Sequence, residues 1–288
     1  MKKHIVNRTY SLTLILLGAV FFSCDTETTV DLETPNQRLV VEGRIEWQSS
    51  SNEQNHKITL STIGDFFKNE TTPRATGADV WVTNSNNERY EFQEITGGEY
   101  VNNTLIPQLN AVYTLHIIWN SQEYEAVETL MPVAPIDSIY QRFEEGNIFE
   151  DEGIKIAIDF IDPVSEDNYY FWETYRNGAL QVLPDPGNKN NLIAKDEFFD
   201  GRKIEGYIPN EETVFAPGEE VLVKQLALSE NAYDYYFILF DQAAKTGALI
   251  DTPPVPVRGN IQNISDPDNY ALGYFYASQV SEGVRMIQ

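Results

Sequence analysis

Acid, base, nucleophilic and metal chemistry each need particular side chains at particular spacings, and this 288-residue chain offers few of them. Beyond the first two dozen residues it holds two histidines, His56 and His116, each in a stretch that reads as a strand. A lone strand histidine is more often a surface or edge residue than a ligand, and no HExxH, CxxC or His-Cys grouping accompanies either one. A serine nucleophile with His116 as its base is formally possible, but no G-x-S-x-G elbow is present. Carboxylates are abundant, so a glycosidase-like pair can always be imagined, and only a carboxyl separation of about 5–10 Å would support one. Two acidic groups offer the hard oxygen ligands that Ca²⁺ takes: Glu144, Glu145, Glu150, Asp151 and Glu152 in one loop, and Asp266 and Asp268 in "SDPDNY". Neither follows the spaced D-x-D-x-D-G pattern, so solvated charge is the preferred reading and calcium a minor alternative. The residues therefore predict no catalytic site, no cofactor and no enzyme.

The single cysteine, Cys24, follows Lys2, Lys3 and Arg8, an apolar block from Leu12 to Phe22, and small Ser23. This is the three-part layout of a secretory signal over residues 1–23, and the block is well short of the roughly 20 apolar residues that span a bilayer. The segment resembles a lipobox, cut directly before a cysteine that becomes the acylated N-terminus, although Phe21 and Phe22 depart from the common form. Lipidation at Cys24 with several acyl chains would satisfy the two-signal condition for stable anchoring. Asp25 and Glu27 resemble the acidic signal that sends some bacterial lipoproteins on to the cell surface, whereas in enterobacteria an Asp directly after the cysteine signals retention at the inner membrane.

The elements that must position any site follow from composition and patterning. Without residues 1–23 the chain keeps 17 of its 20 basic residues and all 44 acidic ones, a net charge of −27. Such a field repels phosphate backbones and anionic head groups, so nucleic acid is excluded as a partner and membrane contact falls to the lipid. Residues 24–38, "CDTETTVDLETPNQR", lack apolar periodicity and read as a flexible tether. From Leu39 the pattern is short β-branched and aromatic runs split by turn residues, including Gly97-Gly98 and Asn120-Ser121. Seven such runs before Met131 predict an antiparallel β-sandwich of immunoglobulin-like or transthyretin-like type over 39–131.

"MPVAPID" reads as a boundary, and residues 136–288 as a second, mainly β domain with one packed α-helix near 230–245. Ser229 is the expected cap of that helix, and its apolar stripe runs through Tyr233, Phe237 and Phe240 or Tyr236, Phe240 and Ala244. In "NYYFWETY" Tyr169, Phe171 and Tyr175 point one way and Tyr170 and Trp172 the other. The plainer reading fills a sandwich with one face and covers the other with the helix. The sharper one makes Tyr169, Tyr170 and Trp172 a platform for a sugar ring or a partner. Trp47, Trp81 and Trp119 read as core, and Asp137-Ser138-Ile139 resembles an O-glycosylation pattern.

The ordered set of a lipobox, "LVVEGRI", "ADVWVTN", "GGEYV", "VYTL", "EYEAVETLMPVAPIDSI", an aromatic helix and "VRGNIQN" followed by "ALGYFYAS" resembles a family of Bacteroidota lipoproteins classed as a domain of unknown function. Asn110 stands where that family would place Gly before "VYTL". The resemblance implies an outer-membrane location at the cell surface, commonly beside a TonB-dependent transporter, and carries no agreed catalytic residues. The resulting expectation is a non-enzymatic accessory subunit that partners an integral β-barrel in nutrient uptake. A structural subunit of an outer-membrane assembly or secretion machine, and a glycan binder acting alone, are the alternatives.

Overall fold

The computed structural model describes residues 38–48, 55–63, 72–146, 151–181, 192–243 and 257–288. Cys24, Asp25, Glu27 and Glu150, with the signal and nearly all of the tether, lie outside the described residues. So do residues 244–245 of the expected helix span and residues 182–191.

Alternation of apolar and polar side chains at period two builds most of the chain into strands. Strand β1 (Leu39–Trp47) buries Leu39, Val41 and Ile45 on one side and turns Val40, Glu42, Arg44 and Glu46 to the other. The first half continues through β2 (His56–Thr62), β3 (Asp79–Asn84), β4 (Arg89–Thr96), β5 (Glu99–Asn102), β6 (Val112–Trp119) and β7 (Gln122–Thr129). Left-handed backbone closes its turns where expected. Asn120 and Ser121 have φ of 50° and 60° between β6 and β7, and Asn110 has φ of 61° before β6, so asparagine serves there in place of glycine. Gly98 has φ of 73°, and a Cβ on it would lie 2.5 Å from the Leu60 carbonyl oxygen, so this turn requires glycine.

The second half holds β8 (Ile136–Glu144), β9 (Gly153–Ile161), β10 (Tyr169–Arg176), β11 (Ala179–Leu180), β12 (Ile193–Lys195), β13 (Lys203–Tyr207) and β14 (Glu220–Leu228). Helix α1 (Glu230–Ala243), β15 (Gln262–Asn263) and β16 (Leu272–Met286) complete it. The fold is mainly β, with one large sheet of order β11-β10-β14-β16-β1-β2-β5-β4-β3-β6-β7-β15, in which β12 also pairs β10, and a small sheet β13-β9-β8. One apolar cluster joins Val41, Ile58 and Tyr100 to Val82, Leu115 and Tyr124 in the sandwich-like first half. A second joins Ile158 and Phe160 of the small sheet to Tyr170, Trp172 and Val223.

The boundary expected at 131–136 does not separate two sheets. β16 gives Leu272–Gln279 to β1 as a parallel partner and Val280–Met286 to β14 as an antiparallel one. Its Phe275 and Ala277 enter the first half's core, together with Ile261 and Ala271. Residues Asn36–Gln288 therefore form one compact unit, in which the halves keep separate apolar clusters but share a sheet. Among the described residues no helix is long and apolar enough to cross a membrane.

Candidate functional site

The site is built on the face of β1, β16, β14 and β10 that is turned away from the two sandwich cores. Period-two alternation brings Glu42, Arg44 and Glu46 of β1 beside Tyr274, Tyr276 and Ser278 of β16, at matched register. β10 and β14 add Phe171 opposite Leu226 and Glu173 opposite Lys224. α1 lies over this face. Ser229 starts it as expected, with its Oγ accepting from the Ala232 amide at 3.2 Å and its own hydroxyl donating to Glu128 Oε2 at 2.9 Å.

The helix meets the sheet through rings. Tyr233 packs on Tyr169 at 5.3 Å between centroids, Tyr236 stacks on Phe171 at 5.2 Å, and Tyr235 meets Tyr274 at 4.9 Å. Of the two expected stripes it is Tyr236 and Phe240 that reach Phe171, while Phe237 is exposed. These bulky rings do not close the space beneath the helix. A cavity of about 530 Å³ remains, with Tyr236, Leu239 and Phe240 in its roof and Arg44, Glu173 and Tyr276 in its floor.

Below that cavity runs a charged network. Arg44 Nη1 donates to Glu46 Oε1 and to Glu173 Oε1, both at 3.0 Å. Lys224 Nζ donates to Glu46 Oε2 at 3.0 Å and lies 3.6 Å from Glu282 Oε1. The Tyr175 hydroxyl donates to Glu173 Oε2 at 2.6 Å. Burial by itself would raise the Glu46 carboxyl, but Lys224 and then Arg44 outweigh it and hold the group below its usual range. Burial pushes the Tyr236 and Tyr276 phenols well up, so both stay protonated donors. A floor of paired charges under an aromatic roof suits binding.

The aromatic residues singled out in β10 separate by face. Tyr170 and Trp172 are each 1% exposed in the core against Phe160, so neither is a platform for a ligand, and Tyr169 lies under α1. One face fills the core and the helix covers the other, as the plainer reading held. Trp119 is core and Trp47 packs on it, but Trp81 sits on the outer face, between the Arg89 guanidinium at 4.0 Å and a stacked His116 at 5.1 Å. His116 is held there by Glu125 and Thr83, at 3.0 and 3.1 Å. His56 departs from the expected surface position. It is 1% exposed, because it stands on the face of β2 that turns Ile58 and Leu60 into the first half's core.

Asp151, Asp266 and Asp268 are exposed, and Asp266 caps its own turn by accepting from the Asp268 amide. A different acidic group forms instead, in which Asp162, Asp196 and Asp200 bring carboxylate oxygens within 4.8 Å of one another. Their oxygens accept from Tyr170 and Gly201, from Asn168 and from Ser165. Thirty-four residues separate the first two members, so no local spacing could have announced the group. The cavity was partly legible: "EGRIE" alternates charge at period two, and "GYFY" alternates tyrosine. What no local pattern could show is that β1 and β16, the two ends of the sheet-forming chain, lie side by side.

The sequence matches the family described as Domain of unknown function (DUF4249) over residues 25–283, and the chain belongs to that family. No curated protein matches the chain.

Proposed function

We propose that this member of a family of unknown function is a lipid-anchored, surface-exposed lipoprotein of the outer membrane. In this reading it is a non-enzymatic accessory subunit of a TonB-dependent transporter in nutrient uptake. The observation that carries it is the lone Cys24 at the end of an exported signal, followed directly by an acidic tether and a folded body. The resemblance to Bacteroidota lipoproteins supplies the barrel partner. The body supports a binding role: Arg44 and Lys224 on the cavity side are paired with Glu46 and Glu173, and both histidines hydrogen-bond within the fold.

The test is affinity purification of the tagged protein from outer membranes in mild detergent. Co-purification of a TonB-dependent barrel is the expected result. Recovery without any barrel overturns the reading, and recovery of barrel-assembly or secretion components replaces it with the structural-subunit role.

A further inference from the structure

At about 530 Å³ the cavity under α1 has the size of a small-molecule site. Its roof and floor differ in chemistry. Phe171 and Tyr236 stack with an interplanar angle of 19°, and Phe240 lies 5.9 Å from Tyr236, so the upper part offers a run of aromatic faces. Polar groups converge from below. Arg44 gives Nη1 to Glu46 and Glu173, while its Nε and Nη2 have no protein hydrogen-bond partner among the described residues. Glu42 adds an exposed carboxylate at the rim.

We infer that this cavity binds a neutral, ring-shaped polyol, a sugar unit whose apolar face lies on Phe171, Tyr236 and Phe240 and whose hydroxyls bridge Arg44 and the rim carboxylate. The charge balance selects the class. Glu42, Glu46, Glu173 and Glu282 outnumber Arg44 and Lys224, so an anion would enter a surplus of negative charge. A purely apolar guest would strand the free donors of Arg44. A cation would meet that negative surplus favourably but would leave the Arg44 donors unmet, which a ring of hydroxyls does not. A hydroxyl donates and accepts at once, which suits a floor where donors and acceptors are interleaved. Aromatic faces take the C–H face of a ring. The inference goes beyond the accessory role and does not depend on it.

The test uses the detergent-solubilised full-length protein. The probes are glucose, galactose, mannose, xylose, N-acetylglucosamine, maltose, cellobiose and lactose, with glucuronate and choline as charged controls. Saturation-transfer NMR and titration calorimetry are expected to detect at least one neutral sugar and neither control. Phe240→Ala and Glu42→Gln should each weaken that binding about tenfold with the circular-dichroism spectrum unchanged. Should Phe240→Ala disturb the helix, Glu42→Gln on the exposed rim decides. Silence across the neutral panel, preference for glucuronate or choline, or binding indifferent to Glu42→Gln would each overturn the proposal. A missing barrel in the purification experiment would leave it standing.

Discussion

His56 sits inside β2 with Nε2 2.9 Å from the Leu105 carbonyl oxygen and Nδ1 without a partner among the described residues. Burial lowers its pKa below the ordinary 6.5, outweighing the Leu105 hydrogen bond and the distant Glu46 charge, which push the other way. The unfolded chain therefore takes up a proton at a higher pH than the folded one. The stability that His56 contributes is complete above about 6.5 and is lost as the pH falls below it. Glu128 and Asp162, both raised chiefly by burial, have the opposite sign and act lower, in the carboxylate range. We expect the denaturation midpoint to fall on acidification from neutral pH, and His56→Gln to flatten that fall. An imidazole NMR titration of His56 at or above 6.5 would contradict the assignment. The sequence showed a histidine in a strand; it did not show that the face carrying His56, Ile58 and Leu60 is covered by the first half's core, and that covering is what buries the ring.

At the scale of elements, α1 rests on one cap and a layer of rings. Ser229 satisfies the Ala232 amide and also donates to buried Glu128, which in turn accepts from the Tyr274 hydroxyl at 3.1 Å. Ser229→Ala removes a cap and one of the hydrogen bonds to that carboxylate. The expected cost is about 1–2 kcal/mol in equilibrium denaturation, whereas Ser229→Asp keeps the cap but sets a second carboxylate against Glu128. A Ser229→Ala protein as stable as the parent would mean that α1 is held by its rings alone. The helix and its cap were legible because capping is local: a serine, an acidic first turn and a 3.6-residue period suffice. Which stripe faces the sheet was not legible. Phe171 selects Tyr236 and Phe240 over Phe237, and Phe171 lies more than sixty residues earlier in the chain.

At the scale of the whole molecule, β16 is the connection between the two halves. Residues 39–131 expressed alone would lose the parallel partner of β1 and the core side chains Ile261, Ala271, Phe275 and Ala277. That fragment should show poor amide dispersion and no cooperative melting; a well-dispersed, cooperative fragment would restore the view of two autonomous domains. The anchor is tested at the same scale, since Cys24→Ala should move the protein from the membrane fraction to the soluble one, and retention would refute lipidation. Sequence alone determined the strand-rich class, the tight turns, the capped helix and the strong negative charge. Each of these depends on residues near one another in the chain or on composition. Tertiary structure decided the joining of the halves, the burial of His56, Tyr170 and Trp172, and the cavity with Arg44 in its floor. Those depend on contacts between segments distant in the chain, about 50 residues apart for His56 and Leu105 and some 230 apart for Val40 and Leu272. Period-two alternation fixes which residues share a face, but it does not say which strand will lie beside which.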